Sequence, residues 1–451
     1  MINYMETFIE KFNIYKIKIT DLWGLSFPII IGNLGNMLIG VEDVFVAARH
    51  STQTLAAISV ATAIFMSIFI CGIGFLTSIS PVIANRRGSK QRSKQLFVMS
   101  IVYSLIMSMV FFLITRFSLL FIGKIGFAEG LTPLVEEYID ICSFSIFGAY
   151  LYNALKEFLQ AYEVVIFPNL VSIIAIIINP VLCFALVFGL WGMPALGVKG
   201  LAVAAVIIRS FMGLTLFFYC LPFLKGQVLK ATEYIKELIK IGYPISIAMF
   251  AEFSGFNATA ILVGKISTVL AAAHNIIITF AGVTYMIPMA VSNAIAVKVG
   301  VANGRNDFSE IKRYSLAGSF MIFAFMTFTA FLFIKIPDFL LNIFTKDLAV
   351  VAVALPVMFI VACFQIFDGM QVAFSGILKG LKMTKPIMFT TALAYWLIGV
   401  PMGCILAFKY NIVLFGFWLG LAIALLTASS ISGTIIIWKF KELKKIYKKE
   451  V

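Results

Sequence analysis

Twelve apolar runs bounded by charge, glycine or proline follow one another along the chain, at residues 22–47, 54–80, 96–120, 131–157, 166–189, 198–222, 239–264, 268–297, 312–335, 349–377, 386–408 and 412–438. About 20 apolar residues in a helix, rising 1.5 Å each, cross the roughly 30 Å hydrocarbon core of a bilayer. Every backbone N–H and C=O must then be satisfied inside its own segment, which selects helices for runs of this length. Composition agrees, with 61% hydrophobic and 12% charged residues and a mean hydropathy of +1.03, against roughly 45–50% and 25% in soluble domains. The expectation is an all-α integral membrane protein of twelve transmembrane helices, with no room in its 451 residues for a large soluble domain.

The cysteines Cys71, Cys142, Cys183, Cys220, Cys363 and Cys404 all lie in apolar segments at irregular spacing, without a CxxC pair. They read as small core side chains, neither a disulfide frame nor a metal site. The first twenty residues carry Glu6 and Glu10 and lack a signal-peptide pattern, so the first span is expected to do the targeting.

Most of the 35 Lys and Arg sort to the loops of one face: Lys11, Lys16 and Lys18, then Arg86 to Lys94, Lys156, Lys225 to Lys240, Lys298 to Arg313, Lys379 to Lys385, and finally Lys439 to Lys449. Short cytoplasmic loops carry the positive excess, so both termini are expected in the cytoplasm of a multi-pass plasma (inner) membrane protein. The +14 net charge is thereby an orientation signal, and no nucleic-acid partner is expected.

The chain repeats itself at about 216 residues. Pro28 in GLSFPIII returns as Pro244 in KIGYPISI, Leu55 in TLAAISVA as Leu270 in VLAAAHNI, Gly88 in NRRGSKQ as Gly304 in ANGRNDF, and LQAYEVVIFP at 159–168 as LKGLKMTKP at 378–386. Six spans per repeat bring both halves in from the same side, which predicts two six-helix lobes related by a pseudo-two-fold axis along the membrane normal. The expected division is an N-terminal lobe at 1–222, an amphipathic cytoplasmic linker at 223–238, and a C-terminal lobe at 239–451.

Four acids fall inside apolar runs: Glu42 and Asp43 in the first, Glu252 in the seventh and Asp368 in the tenth. Each costs roughly 2.5–3.5 kcal/mol on insertion scales and is expected to face water or a partner. Glu252 and Asp368 stand about 12 and 11 residues from the inner ends of their helices, roughly 16–18 Å deep, in the same half. Two carboxylates at one level, with oxygens nearby from Asn257, Thr259, Gln365 and Ser375, form the hard set that Na⁺ or a proton requires. Asp43 lies nearer the outer face, and Glu42 is turned from it by 100°. Arg209 is read as pairing with an acid or snorkelling. His274 could relay protons or serve as a packing contact.

Four stretches are similar to one family: VEDVFVAARHSTQTLAAISVA at 41–61, LGVKGLAVA at 196–204, AAHNIIITFAGVTYMIPMAVSNAIAVKVGVANGR at 272–305, and FQIFDGMQVAFSGILKGLKMTKP at 364–386. Over nearly its whole length the chain resembles the multidrug and toxic compound extrusion (MATE) family, with most likeness to its sodium-coupled bacterial branch. The resemblance implies two six-helix lobes that export lipophilic, often cationic compounds in exchange for Na⁺ or H⁺. It implies cation coupling at Glu252 and Asp368, and a proton or substrate site in the N-terminal lobe at Asp43 with Asn179. Cys183, Ala205 and Phe364 depart from the family pattern, where an aspartate, a threonine and a tyrosine are common.

The expected activity is cation-coupled antiport by alternating access, with Na⁺ or H⁺ as coupling ion at Glu252 and Asp368, no cofactor, and Asn257, Thr259, Gln365 and His274 as supporting residues. The expected partners are small-molecule substrates, the coupling ion and membrane lipid, and the expected state is a monomer. Flipping of lipid-linked saccharides is the alternative, because related two-lobe folds do that work. An enzyme would need clustered acids, histidines or cysteines near an interface, and the sequence has none.

Overall fold

A computed structural model describes residues 2–91, 96–124, 126–127, 130–224 and 231–449. The expected basic residues Arg92, Lys94, Lys225 and Lys230 lie outside them. The helices are α1 (Ile2–His50), α2 (Thr52–Leu76), α3 (Ile79–Gly88), α4 (Phe97–Ile122), α5 (Leu131–Ser143), α6 (Ser145–Ala161), α7 (Ile166–Phe188), α8 (Val198–Cys220), α9 (Ala231–Gly264), α10 (Thr268–Gly304), α11 (Phe308–Lys335), α12 (Pro337–Phe344), α13 (Leu348–Gly380), α14 (Thr384–Ala392), α15 (Val400–Cys404) and α16 (Val413–Lys449). No strand occurs among the described residues.

All twelve expected runs are helical. Among the described residues eleven segments are single helical stretches long and apolar enough to cross a membrane. The remaining run is split at Phe144 into α5 and α6, of 13 and 17 residues, which carry Glu136, Glu137 and Asp140 on one piece and Lys156 and Glu157 on the other. The chain is therefore an all-α membrane protein with six spans in each half. Its surface is that of a lipid-facing protein: Leu120, Phe389 and Leu397 are 66%, 65% and 72% exposed. Apolar side chains stand at such positions without penalty only where the solvent is hydrocarbon.

Local chemistry sets the boundaries, and it repeats. Ser51 and Ser267, one repeat apart, cap α2 and α10 by accepting from the backbone N–H of Thr54 and Val269. Asp307 and Asp347 cap α11 and α13 in the same way. Two loops of each half turn through the left-handed region at non-glycine residues, Lys90 (φ 56°) and Asn306 (φ 57°) after the second span, and Glu163 (φ 65°) and Lys382 (φ 58°) after the fourth. The matched sequence segments thus fold into matched turns. Several helices run longer than their apolar cores, α10 to Gly304 and α16 to Lys449, because charged residues prolong a helix into the headgroups and beyond. The short α12, which opens on Pro337, was not expected from the hydropathy pattern.

Contacts divide the chain into two compact units, Ile31–Ser246 and Met1–Ile30 with Ile247–Val451. Both divisions fall inside a helix, two residues beyond Pro28 in α1 and Pro244 in α9. Proline removes a backbone donor and loosens the preceding turn, so these are places where a helix can bend. The expected boundaries at 222 and 239 differ because the segments before the prolines pack elsewhere. Lys18 pairs with Glu310 at 2.6 Å and lies 4.6 Å from the Tyr314 ring, whose hydroxyl donates to Asp21. In the other unit Glu237 pairs with Arg86 at 2.7 Å, and Arg86 lies 5.5 Å from the Tyr234 ring. Residues 225–230 of the expected linker lie outside the described residues; from Ala231 the chain is already the opening of α9, with Tyr234 and Leu238 buried.

Candidate functional site

Polar side chains gather inside the spans at two places, one in each unit. In the unit Ile31–Ser246, α1 supplies Glu42 and Asp43, and α7 supplies Asn179 and Cys183 one turn apart. Asn179 is 1% exposed, and its Nδ2 donates to Asp43 Oδ1 at 3.1 Å and to Glu42 Oε2 at 3.3 Å. Cys183 Sγ donates to the same Asp43 oxygen at 3.5 Å. The expected pairing of Asp43 with Asn179 is present. The expectation that Glu42 is turned away is corrected, because its longer side chain curls back to the same amide.

Arg209 of α8 lies close enough for its charge to act on Asp43. Its Nη1 donates to Ser145 Oγ at 2.6 Å and reaches Cys142 Sγ at 3.8 Å. The guanidinium lies 5.3 Å from the Phe65 ring and 5.1 Å from the Phe69 ring. Among the described residues no salt bridge joins Arg209 to an acid; Ser145, Cys142 and the faces of two rings surround the cation. The Tyr138 hydroxyl of α5 shares the electrostatic environment of both Asp43 and Arg209.

In the second unit, Glu252 of α9 and Asp368 of α13 are close enough for the charge of one to act on the other. Asp368 is 4% exposed. The hydroxyls of Tyr285 on α10 and Tyr395 feel both carboxylates, and Lys379, three turns along α13 from Asp368, acts on Glu252. Gln365, one turn before Asp368, donates from Nε2 to Thr284 Oγ1 at 2.8 Å, which leaves its buried Oε1 without a partner. The Tyr395 hydroxyl is buried and unpartnered as well. Tyr395 sits in the wide-turned segment Leu393–Gly399 between α14 and α15, against Gly255 and the Phe256 ring at 5.5 Å. Such π-type turns recur at functional sites.

The supporting residues behave differently from one another. Asn257 Nδ2 and the Thr259 hydroxyl donate to the carbonyls of Phe253 and Gly255 in their own helix. His274 is 1% exposed with neither ring nitrogen bonded, 5.7 Å from the Trp418 ring, whose own Nε1 is unpartnered. Phe364 fills the wall between Trp418 and Phe256. Tyr285 and Tyr395 were missed in the sequence; their signal was a hydroxyl within an apolar run, in VTYMIP and LAYWLIG. Among the described residues no three His, Cys, Asp or Glu side chains are grouped to hold a metal.

The MatE family model matches residues 28–185 and again 244–405, opening each time at one of the two matched prolines. The chain belongs to the MatE family. MatE members are transporters and not enzymes. Among curated relatives, the probable multidrug resistance protein NorM of Agrobacterium fabrum is 31% identical over 430 residues, 90% of each chain. The multidrug resistance protein NorM of Vibrio vulnificus is 26% identical over 454 residues, 96% of this chain and 98% of its own. The crystal structure of the eukaryotic MATE transporter AtDTX14 superposes with a TM-score of 0.85 at 18% identity, covering 97% of this chain and 100% of that one. An outward-facing multidrug resistance MATE transporter gives 0.84 over 95% and 97% at the same identity. These two structures show the shared MATE fold of twelve spans.

Proposed function

We propose that the chain exports lipophilic, often cationic small molecules across the plasma membrane by alternating access, in exchange for Na⁺ or H⁺, with both termini in the cytoplasm. Support comes from family membership, from relatives named as multidrug resistance proteins, and above all from one constellation. Glu252 and Asp368 act on each other, the unpartnered Tyr395 hydroxyl feels both, and Gln365, whose buried Oε1 is unpartnered, stands one turn before Asp368.

Two carboxylates close enough in hydrocarbon for the charge of one to act on the other repel, and one positive charge relieves the repulsion. Na⁺ suits such a set because carboxylate, amide and hydroxyl oxygens are the hard donors it takes. A proton relieves the same repulsion by neutralising one acid. The coupling ion is cargo here. Glu252 and Asp368 take up its charge, and Gln365 and Tyr395 complete its shell. Binding stabilises one conformation of α9, α10 and α13, the helices that carry these groups, and lowers the affinity for drug. By reciprocity the drug expels the ion.

Energised cells expressing Glu252→Gln or Asp368→Asn, each still folded and inserted, should lose ion-driven efflux of a lipophilic cation dye. Full ion-dependent efflux by both variants would overturn this assignment. Dye efflux by neither wild type nor variants would leave the flipping of lipid-linked saccharides as the reading to pursue.

A further inference from the structure

We propose that the C-terminal end of α16 carries a binding site for the headgroup of an anionic phospholipid, made by Trp438, Lys441, Lys444 and Lys445. The site does not depend on the export function; only its assignment to the inner leaflet rests on the placement of the termini proposed above.

α16 keeps two distinct faces as it leaves the hydrocarbon. Its exposed stripe runs through Leu426, Ser430, Thr434 and Trp438 and goes on through Lys441 and Lys445, at the three- and four-residue steps that stack side chains on one face of a helix. The opposite side is packed within the second unit. Ile436 and Leu443 are buried, and the Phe440 ring lies edge-on to Phe308 of α11 at 5.9 Å. The lysines therefore continue the stripe that faces lipid.

Depth decides what they meet. Trp438 stands about 37 Å along α16 from Val413, its first residue, against a hydrocarbon core of roughly 30 Å. It is 64% exposed, at the level where tryptophan anchors a helix in the interface. Lys441 and Lys445 follow about 5 and 10 Å further out, among the headgroups.

Trp438, Lys441, Glu442, Lys444 and Lys445 line an open groove of about 490 Å³. Its one acid is already taken, because Lys439 Nζ donates to Glu442 Oε2 at 3.0 Å. Among the described residues no acid pairs with Lys441, Lys444 or Lys445. The groove thus offers three positive charges beside an indole and the exposed Ile437. A lipid phosphate takes the ammonium groups while its chains lie against Ile437 and Trp438. A zwitterionic headgroup brings its own cation to the same lysines and loses most of the attraction, and a soluble phosphate has no chains for the apolar part. A basic side chain at a membrane surface strengthens the hold on anionic lipid about fivefold.

The test reads lipid contact at Trp438 through quenching of its fluorescence. The full-length protein is reconstituted into phosphatidylcholine vesicles containing either brominated phosphatidylglycerol or brominated phosphatidylcholine, and the share of Trp438 is the difference from Trp438→Phe. Wild type should prefer phosphatidylglycerol about fivefold or more, and the preference should fall toward one in about 1 M NaCl, where the screening length is roughly 3 Å. A variant combining Lys441→Gln, Lys444→Gln and Lys445→Gln should have no preference. Equal quenching by both lipids in wild type would overturn the proposal, as would a preference that survives the three substitutions. Loss of the preference in inorganic phosphate, but not in NaCl of the same ionic strength, would assign the lysines to a soluble anion and overturn it too. Should the triple variant fail to insert, wild type alone decides, since a preference indifferent to salt contradicts a site built on these charges.

Discussion

Tyr395→Phe separates stability from function at the second site. The ring stays, packed against Gly255 and 5.5 Å from the Phe256 ring, and only a hydroxyl that is buried and makes no hydrogen bond is removed. Burying a hydroxyl without a partner costs about 1–3 kcal/mol by protein mutational measures. The variant should therefore be more stable than wild type by about that amount. At roughly 2–4 °C per kcal/mol for domains of 150–250 residues, the shift is a rise in Tm of several degrees for the detergent-solubilised protein without coupling ion. If the hydroxyl is an oxygen of the ion site, the gain comes with a loss. Removing one such contact costs about 1.5–3 kcal/mol, hence roughly 10- to 150-fold weaker dependence of efflux on the coupling ion. Thermal denaturation and ion titration of dye efflux, on one preparation, measure both. A lowered Tm, or an unchanged ion dependence, would refute the reasoning.

Gly148→Val should mispack α6 on α8, because a Cβ there would lie 2.6 Å from the backbone of Arg209 and Ser210; a loss of about 1–3 kcal/mol or more should appear as lower Tm and poor membrane yield, and a wild-type Tm would contradict the packing. Asn179→Ala removes the one amide that donates to both Glu42 and Asp43, so export of cationic dye should fall several-fold with its ion dependence intact, measured as initial efflux rate against ion concentration. An equal loss of ion dependence would move coupling into the first unit.

The spans were legible because lipid leaves one signature, apolar length, and all twelve runs became helices. The repeat was legible because Pro28 and Pro244, and the segments around Gly88 and Gly304, keep their spacing; the structure adds that the compact units divide at those prolines. The nearness of Asn179 to Asp43 came from the family resemblance, whereas the matched depth of Glu252 and Asp368 followed from charge in hydrocarbon, a rule strong enough to act without a contact map. Facing was harder. In a soluble helix the polar stripe marks the outside, but here both faces are apolar and periodicity carries little direction. Glu42 was therefore misdirected, since the 100° between neighbours says nothing of how far a longer side chain reaches. Asn257 and Thr259 carried suitable oxygens, but each donates a hydrogen bond to a carbonyl of its own helix, which only the structure shows. Tyr285 and Tyr395 stayed hidden among aromatic residues that mostly coat lipid, and the Phe65 and Phe69 cradle of Arg209 needed tertiary packing to be seen.

The most direct measurement is drug-triggered ion release. Purified wild type, Glu252→Gln and Asp368→Asn, each loaded with the coupling ion in detergent, are mixed with a lipophilic cation, and free Na⁺ and pH are followed. Antiport through Glu252 and Asp368 predicts that the drug expels Na⁺ or protons from wild type, that the ion weakens drug binding by the same factor, and that neither happens in the two variants. Drug binding that leaves the ion in place in wild type, or expels it equally from both variants, would contradict the account.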